Sequence, residues 1–164
     1  MQSFARSLAR SLALAALPLL SFGCGESDDT PSSDPKSFIG TWSYTSGTLT
    51  ATCTGVGPQT VTLAGNVTVT AGTAQDLIVA DPYCTVTADV SGTTATATPS
   101  GQTCAISVPV ATTTAMLMGT YSAFTFTTSD GKTGHISAAL SGMGSAMGVS
   151  LPCTVTESAE LTKQ

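Results

Sequence analysis

Charge is scarce in this chain. Of 164 residues, five are Lys or Arg and ten are Asp or Glu, with one His and one Trp. So few cations argue against a nucleic-acid surface, which needs Lys and Arg to neutralise phosphates. No Cys-x-x-Cys pair is present, which removes the usual zinc knuckle. The strong helix formers Glu, Lys, Gln and Arg are thin, and no Gly-rich phosphate loop precedes a helical pattern. What the chain has in quantity is threonine, thirty residues of it. Branching at Cβ stiffens χ1 and suits Thr and Val to pleated, half-buried surfaces. From Phe38 onward apolar and polar residues alternate, which argues for a packed sheet rather than low-complexity disorder. The expectation is one all-β domain.

The first residues are different in kind. Arg6 and Arg10 precede the apolar run Leu12–Leu20, which is too short to span a bilayer. Then come Gly23-Cys24 and an abrupt change to Gly25-Glu26-Ser27-Asp28-Asp29. This resembles a bacterial lipoprotein signal, in which a small residue precedes a lipid-modified cysteine. The Leu usual three places before that cysteine is displaced, with Ser21 in its place and Leu20 one step back. The resemblance implies a cleaved leader over 1–23 and acylation, palmitate included, of Cys24. Several acyl chains together anchor a protein stably where one does so marginally. Gly25 after the cysteine, rather than Asp, implies the outer membrane as the address, facing the periplasm or the cell surface. Without Arg6 and Arg10 the chain keeps three basic residues against ten acidic, a net charge near −7. Residues 24–37 read as the lipidated Cys and a flexible acidic linker with a reach of about 20 Å, and 38–164 as the β domain.

Hairpin parity tests the turns. In a two-residue hairpin the partners sum to a constant odd number, so apolar residues switch parity across the loop. Ser46-Gly47 would set Tyr44 against Leu49, Trp42 against Ala51 and Gly40 against Cys53. Ser91-Gly92 would set Ala88 against Ala95, and Ser100-Gly101 would set Ala97 against Cys104. A three-residue loop, Ser129-Asp130-Gly131, would set Phe124 against Ile136 and Thr120 against Leu140. Gly65-Asn66 fails the test, because Val61, Leu63, Val67 and Val69 keep one parity, so a continuous strand is expected there. Asn66-Val67-Thr68 matches a glycosylation acceptor, read here as chance. Met147, Val149, Leu151, Cys153, Val155, Ala159 and Leu161 share a face that Glu157 interrupts, and Pro152 marks an edge or a break. About ten strands result, near 40–46, 48–54, 59–70, 76–80, 84–90, 93–99, 102–108, 113–128, 133–141 and 147–162. This antiparallel meander must close into a barrel or a two-sheet sandwich to remove its edges.

Four cysteines remain beyond Cys24, and in an exported domain Cys53, Cys84, Cys104 and Cys153 read as two disulfides. The expected three-strand register puts Cys84 and Cys104 two strand spacings apart, about 9–10 Å. A disulfide needs Cα atoms within about 7 Å. Cys84–Cys104 is therefore disfavoured, and Cys53–Cys153 with it. Cys53–Cys84 with Cys104–Cys153 is preferred, and Cys53–Cys104 with Cys84–Cys153 stays open.

Groups for chemistry are few. A Ser-His-Asp triad would need His135 with Asp130 or Asp89, but a strand histidine beside a turn is the plainer reading. The acids sit mostly at expected turns, where they bond the local backbone, and none has calcium-loop or acid–base spacing. Glu157 is the exception, since parity puts it on the apolar face. Gly40-Thr41-Trp42 opens the first strand and resembles the Gly-x-Trp motif of lipocalins, up-and-down barrels that bind small molecules. That resemblance implies an apolar ligand near Trp42, Tyr44 and Glu157, with Lys163 standing where the family usually has Arg. The reading is a membrane-anchored lipoprotein with no catalysis, no cofactor, no metal and no nucleic acid. It is either a structural or interaction module with a protein partner, or a lipocalin-like binder of a small hydrophobic ligand.

Overall fold

The computed structural model describes residues 34–164 apart from 111, 112 and 147. The expected leader, Cys24, most of the expected linker and Met147 lie outside the described residues. The described chain opens with a 3-10 turn, Pro35–Ser37, whose N-cap Asp34 accepts a bond from the Lys36 N–H. Ten strands follow: β1 (Gly40–Cys53), β2 (Gln59–Thr62), β3 (Asn66–Ala71), β4 (Leu77–Ala80), β5 (Thr85–Ser91), β6 (Thr94–Ala97), β7 (Thr103–Val110), β8 (Thr113–Thr127), β9 (Thr133–Ala146) and β10 (Val149–Lys163). All pairings are antiparallel. The ring β1-β3-β4-β5-β6-β8-β9-β10 closes on itself through β1 and β10, making an eight-stranded barrel with β2 and β7 as extra strands.

β2 and β3 are two lengths of one strand. Both run along β1, with Leu49 opposite Val61 and Trp42 opposite Val67. Between them Leu63 donates to the Gly47 carbonyl (3.0 Å) and the Gly65 carbonyl accepts from Tyr44 (3.2 Å). The continuity expected through Gly65-Asn66 is therefore present. β6 and β7 lie end to end along β8 in the same way. The barrel is thus an up-and-down meander of eight strands, two of them interrupted. On one wall the hairpin β4–β5 is short, and above its tip β2 and β7 touch without a ladder.

This arrangement corrects the expected turns. β1 is one strand of 14 residues with no hairpin at Ser46-Gly47. The parity change there is a β-bulge: Tyr44 pairs with Leu161 and Ser46 with Glu160, leaving Thr45 unpaired. A bulge and a hairpin both switch the inward face from even to odd residues, so Trp42 is buried before it and Leu49 and Ala51 after it. Trp42 therefore faces Val67 and Lys163, not Ala51. β8 has a second bulge at Ser122, which moves the inward face from Leu117 and Tyr121 to Phe124 and Phe126.

Ser100-Gly101 turns the chain but pairs nothing across itself, because both flanking strands lie on β8. The side chain of Gln102 fills part of the interruption by bonding both main-chain groups of Thr87 (2.8 and 2.7 Å). The β5–β6 hairpin exists with its loop one residue later, at Gly92-Thr93, so Ala88 faces Ala97. The β8–β9 connection is also longer than expected, and Phe126 rather than Phe124 faces Ile136. Pro152 falls where the β1–β10 ladder ends. β10 pairs on both sides, and Pro152 sits one place beyond Cys53–Cys153, the last β1–β10 pair, with its carbonyl accepting from Thr54 (3.0 Å).

The expected disulfide connectivity is wrong. Cys53 bonds Cys153, its direct partner across β1 and β10, with Cα atoms 4.0 Å apart. Cys84 bonds Cys104 at a Cα distance of 5.8 Å, tying the tip of the short hairpin to the start of β7. The argument against that pair assumed that β6 and β7 were neighbours with β6 between the cysteines, and they are not.

Candidate functional site

Three regions lie along the barrel axis. At the end where β1 begins, Trp42 is fully buried and its indole N–H donates to the Phe38 carbonyl (2.7 Å). Its ring meets Phe126 edge-on at 5.0 Å, and Phe126 meets Phe38 at 5.4 Å. A Cβ on Gly134 would come within 2.5 Å of Phe126, so the small residue makes room for this packing. The Lys163 ammonium lies 5.3 Å from the Trp42 ring centre and donates to the Ser37 carbonyl (3.0 Å). Lys163 thus lies as a cation over the ring. The aromatic cluster closes this end of the barrel.

At the waist the interior turns polar. The Tyr44 hydroxyl donates to a Glu157 carboxylate oxygen (3.3 Å), and Glu157 is only 5 % exposed. Burial, then the charge of Asp81, pushes the Glu157 carboxyl up to about 7, with the Tyr44 bond acting the other way. Asp81, at the tip of β4–β5, accepts from the Tyr83 and Cys84 N–H groups (both 2.6 Å). Its pKa is raised by burial and lowered by those two bonds, with burial the larger cause. Burial also raises the Tyr44 and Tyr121 hydroxyls far above their ordinary range, and both carboxylates add to this. The cluster can store a proton at neutral pH.

The sequence pointed to Tyr44 and Glu157 but not to Asp81 and Tyr121. Asp81 fell among the acids at expected turns, where it does bond the local backbone, and the Ser122 bulge hid Tyr121's inward face. The structure joins Tyr44 to Glu157 and keeps Trp42 apart, in the aromatic plug.

Towards the other end lies a small apolar cavity of about 40 Å³, bounded by Ala51, Val56, Val108, Leu117 and Leu151. It has room for one or two waters and is far below the 300–1,000 Å³ typical of a ligand pocket. The Cys53–Cys153 bridge forms part of its wall, and Gly144 leaves the space that bridge needs, since a Cβ there would lie 2.6 Å from Cys153 Sγ.

The remaining candidates separate. His135 is on the outside of β9, where Nδ1 meets Glu160 at 2.9 Å rather than Asp130 or Asp89. Asp130 accepts from the Lys132 and Thr133 N–H groups (2.8 Å each), which lower its pKa to about 2. Asp89 accepts from the Asp76 N–H, and Asp76 from the Val90 N–H. These acids fasten turns. Among the described residues no three His, Cys, Asp or Glu side chains are grouped to hold a metal ion. No protein-family model, curated protein or solved structure matches the chain.

Proposed function

We propose that this chain is a bacterial lipoprotein, anchored in the outer membrane through acylated Cys24, whose barrel is a non-catalytic structural or interaction module. The filled interior carries the choice of module over binder. Aromatic rings plug one end, an acid–phenol cluster crosses the waist, and the apolar cavity towards the other end has a volume of about 40 Å³. A lumen that binds a small hydrophobic molecule needs several times that volume. The leader pattern and Gly23-Cys24 support the anchor, and the disulfides fit an oxidising compartment.

One feature favours the lipocalin-like reading. Val149, 57 % exposed at the end of β10, borders the apolar cavity, so that end offers an apolar rim. Native mass spectrometry of protein extracted from its own membrane separates the two. The module predicts the acylated chain alone. A co-purifying small molecule of constant mass, retained through exchange of detergent, overturns it in favour of the binder.

A further inference from the structure

All methionines after Met1 fall within residues 116–147, at 116, 118, 143 and 147. Methionine usually serves as a flexible core filler, yet none of the three described ones is in the buried core. Met116, Met118 and Met143 are instead 49, 59 and 48 % exposed, and they make up three of the four exposed large hydrophobic side chains among the described residues. They share one patch on the outer face. Met118 is directly opposite Met143 across β8 and β9, and Met116 is two residues along β8 on the same face. Met116 is therefore a diagonal neighbour of Met143, within reach for a long side chain. Directly beneath, Gly119 pairs with Gly142, and a Cβ on Gly142 would strike the Met118 carbonyl, so no inward side chain holds the strands apart. The Met116 thioether already accepts a bond from the Ser107 hydroxyl (2.9 Å). Outward positions on the neighbouring strand β10 carry Pro152, directly opposite Met143, and then Thr154, Thr156, Ser158 and Glu160.

Simple apolar contact would be met by Leu, Val or Ile, which this chain uses freely in its core. The choice of methionine at all three outward positions points to sulfur. Thioethers are neutral, soft ligands that suit Cu(I) and are poor partners for Zn(II), Ca(II) or Mg(II). We propose that Met116, Met118 and Met143 form a surface site for a soft monovalent cation, Cu(I), held by three thioether sulfurs. No electron transfer is involved, because the ion arrives and leaves as Cu(I). The site is independent of the proposed membrane anchor and of the barrel interior.

The test uses the whole chain with Cys24→Ser, so that no free thiol competes, and Ag(I) as a redox-inert probe. Binding is followed through the methyl carbon signals of the methionines. The three signals of Met116, Met118 and Met143 should shift together and saturate at one equivalent. Met→Leu at each position keeps volume and apolarity and should weaken binding about tenfold or more. The triple Leu variant, with its Trp42 emission unchanged as proof of folding, should lose the site. Competition with a Cu(I) chelator should rank the variants identically, and Zn(II) should shift none of the signals. Independent shifts at different stoichiometries, or undiminished Ag(I) affinity in the folded triple variant, would overturn the proposal.

Discussion

Glu157 sits among Leu49, Ala138 and Tyr44 inside a barrel wall, where a charge is expensive. Its folded-state pKa of about 7 lies above the ordinary carboxyl value of 4.5. Between those values the folded chain binds a proton that the unfolded chain has released. Stability therefore falls as pH rises from about 4.5 to about 7 and then levels off, by up to about 3 kcal/mol for a shift of this size. Glu157→Gln keeps an acceptor for the Tyr44 hydroxyl and removes the charge. Its melting temperature should be nearly flat between pH 5 and 8 where the parent's declines, and it should exceed the parent's at pH 8. Two parallel curves would show that Glu157 is ionised throughout. Trp42 is the opposite case, a large side chain with every need met. Trp42→Ala should cost about 3–5 kcal/mol in urea denaturation, and a loss under 1 kcal/mol would mean that the aromatic plug is not what closes that end.

Among the elements, parity was legible and its cause was not. A hairpin and a bulge leave the same mark, an inward face that moves from even to odd positions. Ser46-Gly47 favoured the hairpin because that dipeptide also suits a turn, but Gly47 lies within β1 with a Cβ-free approach to Ala159 on β10. The continuous run from Val61 to Val69 was legible because no residue broke its parity. The partnership of β6 with β8 was not, since it joins residues such as Thr94 and Thr127 across the whole of β7, which itself pairs with β8 locally. The disulfides inherited that error. The Glu157 face followed from local pattern alone, whereas Asp81 and Tyr121 joined the interior only through barrel closure. The corrected connectivity has a measurable order. Cys53–Cys153 closes a separation of 100 residues and Cys84–Cys104 one of 20. On the chain-entropy account, removing the first costs about 5 kcal/mol and the second about 3. Paired Cys→Ala variants should unfold in that order in urea. Equal losses would assign the bridges' effect to local packing, with Cys84–Cys104 then most important for holding Asp81 beside the waist cluster.

At the scale of the whole molecule, the barrel turns its apolar side inward. Strands of 14 or 15 residues, as in β1, β8, β9 and β10, are long enough to cross a bilayer if tilted. A membrane barrel, however, needs an outward apolar band about 25 Å tall. Here the outward positions of β10 are Thr154, Thr156, Ser158, Glu160 and Thr162, while Val155, Ala159 and Leu161 face the core. Among the described residues the outward apolar patch around Met118 and Met143 is confined to part of β8 and β9. The full chain's net charge of −5 gives it no attraction to anionic lipid. Membrane attachment of this chain, on the proposed reading, must then come wholly from acyl chains on Cys24. Cys24→Ser should move it from the membrane pellet to the soluble fraction, with disulfides and Trp42 emission unchanged because the barrel never relied on the lipid. Parent protein should resist a high-salt wash and yield to detergent, as acyl anchoring requires and charge adsorption does not. A Cys24→Ser chain that still sediments and is released by salt would replace the anchor with a protein partner on the membrane.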